Sequence, residues 1–491
     1  MSPEQAVIVI GSGLAGLCAT TQLIAHRIPV VMLERAAKPG GNSIKASSGI
    51  NGAPTRFQPA LQHDATDLFL ADTLGSAGGP LTSSVAEERA RREKLISTLV
   101  TSSAEAVHWL ADEQGVDLST VTQLGGHSRA RTHRGGAGQK PPGFAIVSAL
   151  LESLDREPLF QLRTNAKVTR VIGMNAEGAQ HEEEEGMLGV EVDAGQEGGD
   201  NRTETLYGPL VFATGGFAGD THGLLEKYRP DLAGIPSTND AREGTQPLLE
   251  AVGAAVVDMD QVQVHPTGFV DAKDRSARVK FLAAEALRGE GGVLLDGRGG
   301  RFVDELTTRE KVTAAVMASA SPLEGETTSL LRQWDVTLLM DEGAAAAAKT
   351  HLDFYLWKGL MRKTTVGELG LALPLVRDTL RGYADVVSGK KPDVFGRTSF
   401  GNWTLKDVSS DSVVYVGQVT PVVHFTMGGV VINEHSQVLD KDGAPIKGLW
   451  AAGEITGGLH GQNRLGGSSL LECVVFGRIA GENAAAFHQA H

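Results

Sequence analysis

An α/β fold built on a parallel, dinucleotide-binding sheet is what this sequence predicts, and three observations near its start carry the prediction. The stretch AVIVIGSGLAGLCATTQLIAHRIPVVMLERA opens on a continuous apolar run, passes through Gly11, Gly13 and Gly16 into a helical pattern, and ends on a second apolar run. Continuous apolar runs of this length read as parallel strands buried on both faces, and the segment between them as a crossover helix, giving a βαβ unit. The glycine spacing allows a tight turn, lets the backbone around Ser12 and Ala15 approach a pyrophosphate, and lets helix pack closely on strand. The helix N-terminus supplies unpaired N–H groups for that anion. Glu34, followed by Arg35, closes the second strand where a carboxylate accepts a bond from a ribose hydroxyl.

The later elements extend this unit in order. GGNSIKASSGINGA, residues 40–53, is a loop of small residues that includes Gly41, Asn42, Ser43, Ser48 and Gly49, suited to wrapping a larger, two-ring cofactor. Residues 80–120 carry helical periodicity with many charges, as surface helices beside a sheet do. VTRVIGMN, MLGVEVDA and TLYGPLVFATGG read as strands joined by the turns AQHEEEEG and GQEGGDN, with Glu182 to Glu185 a solvated hairpin tip. The third of these strands ends on Ala213-Thr214-Gly215-Gly216, and GLWAAGEITGG brings Gly453 and Glu454 after another apolar run. DEGAAAAAKT is alanine-rich and reads as helix. GGSSLLECVVFGRIAGENAA is a glycine turn, a Ser cap and a long apolar-faced helix, so the amides around Ser469, Leu470 and Leu471 are expected to face the cofactor.

Composition narrows the function. A formal net charge of −14 excludes nucleic acid as a partner and requires any anionic substrate to be held by a local pocket of Arg and His against the overall field. Cys18 and Cys473 are the only cysteines, too few for a disulfide scaffold, an iron–sulfur site or CxxCH haem attachment, and both read as inert packing residues in a reducing compartment. No stretch is long and apolar enough to span a bilayer. The first strand begins within a few residues of Met1, so a cytoplasmic chain is expected, or an organellar one if an N-terminal segment is missing. Asn201-Arg-Thr and Asn402-Trp-Thr match the glycosylation pattern by chance in such a chain.

GGNSIKASSGING, QVHPTGF, AAEALRG, ELTTR, HFTMGG and NRLGGSSLLECVVFGR, in this order, resemble the flavoprotein superfamily of fumarate reductases and succinate dehydrogenases, most of all its soluble fungal fumarate reductases. The resemblance covers nearly the whole chain. It implies an α/β fold in which a Rossmann-like FAD-binding domain, residues 1–263 and 425–491, is interrupted by an α+β capping domain, residues 264–424. It also implies a small dicarboxylate, fumarate or succinate, as the substrate in the cleft between them. Asn42 stands where membrane-complex flavoproteins carry the histidine that attaches FAD, which implies noncovalent FAD. By the same resemblance His265, His424 and Arg464 bind substrate carboxylates, Glu285 and Arg288 form a proton path, and Arg309 is the acid that path serves.

Each of these residue types suits its task. His265 precedes a proline, which favours an extended conformation at a segment end. A planar guanidinium at Arg464 can hold a carboxylate bidentately. Glu285 and Arg288 are three apart, so on a helical turn they share a face and can pair. An arginine side chain, with a pKa of about 12 or more, is a poor acid toward water, but a carbanion beside a carboxylate is far more basic, and the guanidinium charge also stabilises the developing anion. Two departures from the family stand out: Ala284 replaces a threonine hydroxyl, and NDAREGTQ, residues 239–246, occupies the place of a TGDG segment, with Glu243 in place of its aspartate. No haem module, cytochrome b5-like region or second βαβ unit for NADH is evident, so reduced free flavin or a separate reductase is the expected electron donor. The alternatives are a related oxidoreductase on another acid, of aspartate oxidase or succinate dehydrogenase type, and a non-catalytic flavin-binding partner.

Overall fold

The structure is a computed structural model and describes residues 6–58, 64–78, 85–136, 138–173, 188–195, 201–323 and 331–491. In chain order its first unit is β1 (Val7–Ile10), α1 (Leu14–Ala25) and β2 (Val30–Leu33). The helices α2 (Ala86–Thr101), α3 (Ser103–Asp112) and α4 (Pro142–Leu154) follow, then β3 (Phe160–Arg163). Next come β4 (Ala166–Ile172), β5 (Gly189–Gly195), β6 (Asn201–Tyr207) and β7 (Leu210–Phe212). The middle of the chain holds β8 (Val262–Phe269), β9 (Val293–Asp296), α5 (Arg309–Ser319) and β10 (Val336–Met340). After them lie α6 (Glu342–Ala347), α7 (Lys349–Lys358), β11 (Arg362–Thr365) and β12 (Val413–Thr426). The chain closes with β13 (Gln437–Leu439), β14 (Pro445–Ala451) and α8 (Ser468–Ala490).

The first sheet runs β13-β14-β7-β1-β2-β3 and is parallel except for the β13–β14 hairpin. Every residue of β1, β2 and β7 is buried, which is why those segments are continuously apolar. The last helix, α8, lies against α1 at a distance only glycine permits. A Cβ on Gly477 would stand 2.5 Å from the Ala15 carbonyl oxygen, and one on Gly481 2.4 Å from that of Ala19. The first and last helices of the chain thereby brace the same turn.

β4, β5 and β6 form a three-stranded antiparallel sheet, so the first two strand readings there hold, but TLYGPLVFATGG is not one strand: it breaks at Gly208 into the end of β6 and β7, which belong to different sheets; the Glu182 to Glu185 tip lies outside the described residues. DEGAAAAAKT does form a helix, α6, with the Asp341 carboxylate accepting the Ala344 N–H at 2.9 Å. A second, antiparallel sheet runs β8-β12-β10-β9, with β11 also paired to β12, and has its own apolar core. The β8–β12 register slips between His265 and Gly268, at Pro266, which has no N–H to give the ladder. α5 rests on β8, where the Thr313 hydroxyl donates to the Val264 carbonyl at 2.9 Å, so Arg309 enters at the first turn of a braced helix.

Candidate active site

One cavity of about 890 Å3 joins the two sheets, a volume in the range large ligands occupy. Its floor is the β1–α1 turn. Gly11 has φ +102°, and a Cβ there would meet the Ala213 carbonyl oxygen at 2.4 Å, so this position requires glycine. A Cβ on Gly16 would stand 2.0 Å from the Gly11 carbonyl oxygen. The Glu34 carboxylate accepts the Ser12 N–H at 3.1 Å and its hydroxyl at 2.5 Å through one oxygen, and the Ala36 N–H at 2.8 Å through the other. Ser43 Oγ accepts the Leu14 N–H at 3.1 Å, tying the 40–53 loop to the start of α1. Gly13, the N-cap of α1, has no side chain to cover the remaining helix amides.

Every cradle residue expected from the sequence lines this cavity except Gly16 and Leu471, which pack behind its wall. Arg35 and Asn42 line it, as do Gly453 and Glu454. Burial pushes the Glu454 carboxyl up to about 7, against the Thr426 N–H at 2.9 Å and the charges of Arg242 and Arg464. The expected Ser cap of α8 is not there. Its N-cap is Gly467 at φ +83°, and the Ser468 hydroxyl accepts instead from Asn51 Nδ2 at 3.0 Å, so the amides at that helix start remain uncapped by a side chain. Two helix N-termini whose N-cap residues are glycines, a glycine turn closed to any Cβ and a carboxylate at the end of β2 fit the pyrophosphate and ribose of FAD.

Sequence reasoning missed part of this wall. Thr238, Asn239, Arg242 and Thr245 line the cavity from the NDAREGTQ region, as does Glu243, whose exposed carboxylate pairs with Lys167 at 3.0 Å and whose carbonyl accepts Arg35 Nη1 at 3.2 Å. Asn42 Nδ2 donates to Asn239 Oδ1, and Asn239 Nδ2 donates to the His424 carbonyl at 2.9 Å, linking the 40–53 loop to β12.

At the other end of the cavity the basic residues converge. Arg309 Nε and Nη2 donate to Glu285 Oε2 at 2.7 and 2.5 Å, and its Nη1 donates to Gln263 Oε1 at 2.8 Å. Arg464 Nη2 reaches the same Gln263 oxygen at 3.1 Å, and its guanidinium lies 4.1 Å from the Phe425 ring centroid. The neutral carboxamide of Gln263, which sequence reasoning did not single out, therefore sits between two guanidiniums. Gln263 Nε2 donates to the Arg464 carbonyl at 2.8 Å, so the amide is held from both ends. Burial, with Arg309 beside it, pushes Arg464 down to about 9.

The Glu285–Arg288 pairing that the spacing allows is corrected. Among the described residues no ion pair joins them: the helix there is a single turn, Ala286–Gly289, with Glu285 as its N-cap. Arg288 Nη1 donates to the Glu305 carbonyl at 2.6 Å, and its Nε and Nη2 are buried without a partner. The two still act on each other through space. Burial raises the Glu285 carboxyl, but Arg309, Arg288 and the Gly125 N–H at 2.7 Å hold it down to about 2.

His265 and His424 meet edge to face, with ring centroids 5.4 Å apart. Burial and the nearby Arg309 push both well below the usual histidine range, so both rings are neutral near pH 7. His265 Nδ1 lies 3.2 Å from both the Thr267 N–H and the Thr267 carbonyl, and its Nε2 is a buried atom with no partner. His424 Nδ1 bonds the Thr238 hydroxyl at 2.9 Å. His424, Arg309 and Arg464 line the cavity, while His265, Glu285 and Arg288 stand directly behind them. The result is an anion pocket with fixed cations, neutral donors and one paired carboxylate.

Comparison with known proteins agrees with this geometry. The FAD binding domain family matches residues 6–470. The chain is 43% identical to Fumarate reductase 1 of Saccharomyces cerevisiae, covering 98% of each chain. It is 41% identical to the fumarate reductase of Schizosaccharomyces pombe, covering 97% of this chain and 88% of that one. Among solved structures, the open conformation of a flavocytochrome c3 fumarate reductase superposes with a TM-score of 0.71 at 29% identity, covering 99% of this chain and 78% of that one. An uncapped glycine turn for FAD, an antiparallel cap set over it and full-length identity at this level have one reading: the chain belongs to the fumarate reductase family of FAD-dependent oxidoreductases.

Proposed function

We propose that this chain reduces fumarate to succinate, with FAD held noncovalently, and that Arg309 supplies the proton. The observation that carries the reading is the placement of Arg309 and Arg464 on one Gln263 oxygen, with Glu285 behind Arg309 at 2.7 Å. Bound FAD, once reduced, supplies the hydride equivalent that the alkene takes up. Everything else falls to the chain. Arg464 clamps one carboxylate in a planar fork. His424, being neutral, gives a hydrogen bond rather than charge, with the neutral His265 ring packed behind it, so orientation at that end is independent of pH in the neutral range.

Attack on one alkene carbon builds negative charge on the other, conjugated with a carboxylate. Arg309 protonates that carbon and is recharged by way of Glu285 and Arg288. Because Glu285 stays ionised down to about pH 2, it holds the guanidinium in one rotamer and offers an acceptor for the incoming proton. Asn42 supports noncovalent FAD: a carboxamide engaged with Asn239 has no imidazole nitrogen to bond a flavin. A division at residues 1–263, 264–424 and 425–491 suits a pocket closed from two sides, and buried free cysteines suit a reducing, cytoplasmic setting. No helix among the described residues is long and apolar enough to cross a membrane. The donor in this reading is reduced free flavin or a separate reductase.

Turnover of fumarate with a reduced viologen dye, with succinate measured as the product, tests the reading. Stoichiometric succinate is expected; dye oxidation without succinate, or none at all, overturns it.

A further inference from the structure

Trp357 presents 77% of its surface to solvent, an unusual exposure for the largest apolar side chain. It is the outermost of three exposed rings. Its centroid lies 6.0 Å from that of Phe354, which is 42% exposed, and the Phe354 ring stands 6.5 Å from that of Phe281, 47% exposed. Lys358 Nζ sits over this ledge, 5.0 Å from the Phe281 centroid and 5.2 Å from that of Trp357. Lys140 Nζ likewise lies 5.3 Å from the exposed Phe144 ring. Neither ammonium forms an ion pair among the described residues, whereas Lys349 of α7 is neutralised by Asp353 at 2.6 Å.

The ledge adjoins the cofactor cavity: Phe281 and Phe354 line it together with Phe144, Arg309 and His424, whereas Trp357 and Lys358 are not among its lining residues. It is also tied to the reacting end of that cavity. The Tyr355 hydroxyl accepts the Ala284 N–H at 3.2 Å and donates to the Leu282 carbonyl at 3.0 Å, and Ala284 precedes the Glu285 that holds Arg309. His351, on the same helix as Phe354, bonds the Ser47 carbonyl at 2.6 Å.

Three rings with one free ammonium group, Lys358, beside them suit a planar heteroaromatic ring that carries a phosphate. Stacking on aromatic faces and cation contact are the forces available there. In a chain of net charge −14 the two lysines make a local positive rim that an anionic ligand finds. A protein partner needs roughly 800 Å2 of contact per side, far more than three rings offer. We propose that this ledge docks the reductant, a reduced flavin mononucleotide, with its ring on Phe354 and Trp357 and its phosphate toward Lys358. The inference rests on the fumarate-reducing reading above. The balance closes: the reduced flavin gives up two electrons and two protons and leaves oxidised, and over the full cycle fumarate takes up both to become succinate.

The test compares three donors on the FAD-loaded enzyme: reduced flavin mononucleotide, reduced riboflavin and the viologen radical. Trp357→Ala is expected to raise the KM for both flavins about tenfold, the usual size of a lost ring-on-ring stack, with viologen-driven turnover and the KM for fumarate unchanged. Lys358→Ala is expected to raise the KM for the mononucleotide more than that for riboflavin, which lacks the phosphate. Unchanged flavin kinetics in Trp357→Ala overturn the docking surface, as does an equal loss with all three donors. A wild-type enzyme driven by viologen but not by reduced flavin overturns the ledge and leaves the fumarate reading standing; no turnover with any donor overturns the fumarate reading itself.

Discussion

Arg309 differs from a surface arginine in having no freedom left. Three of its guanidinium nitrogens are committed to Glu285 and Gln263, so its position relative to the cavity is set before any ligand enters. An electrostatic clamp needs only the charge, whereas an acid needs the charge at one place. Arg309→Lys keeps the first and loses the second. That variant is expected to retain FAD and to bind fumarate, measured by the flavin absorbance change, while losing at least about 10²-fold in turnover. Gln263 makes a separate prediction. Its oxygen separates two buried cations, and Gln263→Leu removes the oxygen while leaving both charges in place. An unpaired buried group costs about 1–3 kcal/mol, so fumarate kcat/KM is expected to fall about tenfold or more. A variant within twofold of wild type contradicts the bridging role.

At the scale of elements, the contact between α1 and α8 sets how firmly the FAD turn is held. Gly481→Val forces a branched side chain against the Ala19 carbonyl, 2.4 Å from where its Cβ would begin. Overpacking of this kind costs about 1–3 kcal/mol; the expected outcome is a lower Tm together with loss of FAD on gel filtration, and full FAD retention would contradict the bracing. The same elements show what could be read in advance. The βαβ unit was legible because strands buried on both faces must be continuously apolar and because Gly11 admits no Cβ. The α6 helix was legible from alanine alone. The Ser cap was not, since Gly467 in a left-handed conformation displaces it and sends the Ser468 hydroxyl to Asn51. Glu285 and Arg288 do share one helical turn, as their spacing allows, but the Glu285 carboxylate is taken by Arg309 and the Arg288 guanidinium donates to the Glu305 carbonyl, which no local spacing could reveal. Gln263 was invisible for another reason: its partner Arg464 is 201 residues away in sequence, and only the meeting of β8 with the approach to α8 brings them together.

Over the whole molecule, a chain of net charge −14 concentrates Arg288, Arg309 and Arg464 around one cavity, and it buries several neutral histidines to do so. Burial is the first cause that holds His127, His133 and His351 down to about 4, and it also pushes His265 and His424 well below 6.5. A histidine whose folded pKa is depressed takes up a proton on unfolding. Its contribution is therefore complete above the unfolded value of about 6.5 and is lost as pH falls toward the folded value. Glu454, raised to about 7, acts in the opposite sense between its unfolded value and 7, as does Asp304, which burial also raises, but they are two groups against five. Stability is expected to fall between pH 6.5 and pH 4.5, read as a drop in Tm across buffers of equal ionic strength. A flat Tm over that range would contradict the buried neutral histidines.

The central claim is that fumarate takes its hydride in this cavity and its proton from Arg309, and a single turnover tests both at once. Holoenzyme reduced with one equivalent of dithionite is mixed with fumarate without oxygen, and the flavin band is followed. The account predicts that one equivalent of fumarate restores the oxidised spectrum and leaves one equivalent of succinate, whereas Arg309→Ala binds fumarate and stays reduced. A wild-type flavin that fumarate leaves reduced, or an Arg309→Ala flavin reoxidised at more than about a tenth of the wild-type rate, well short of the loss of a general acid, would contradict it.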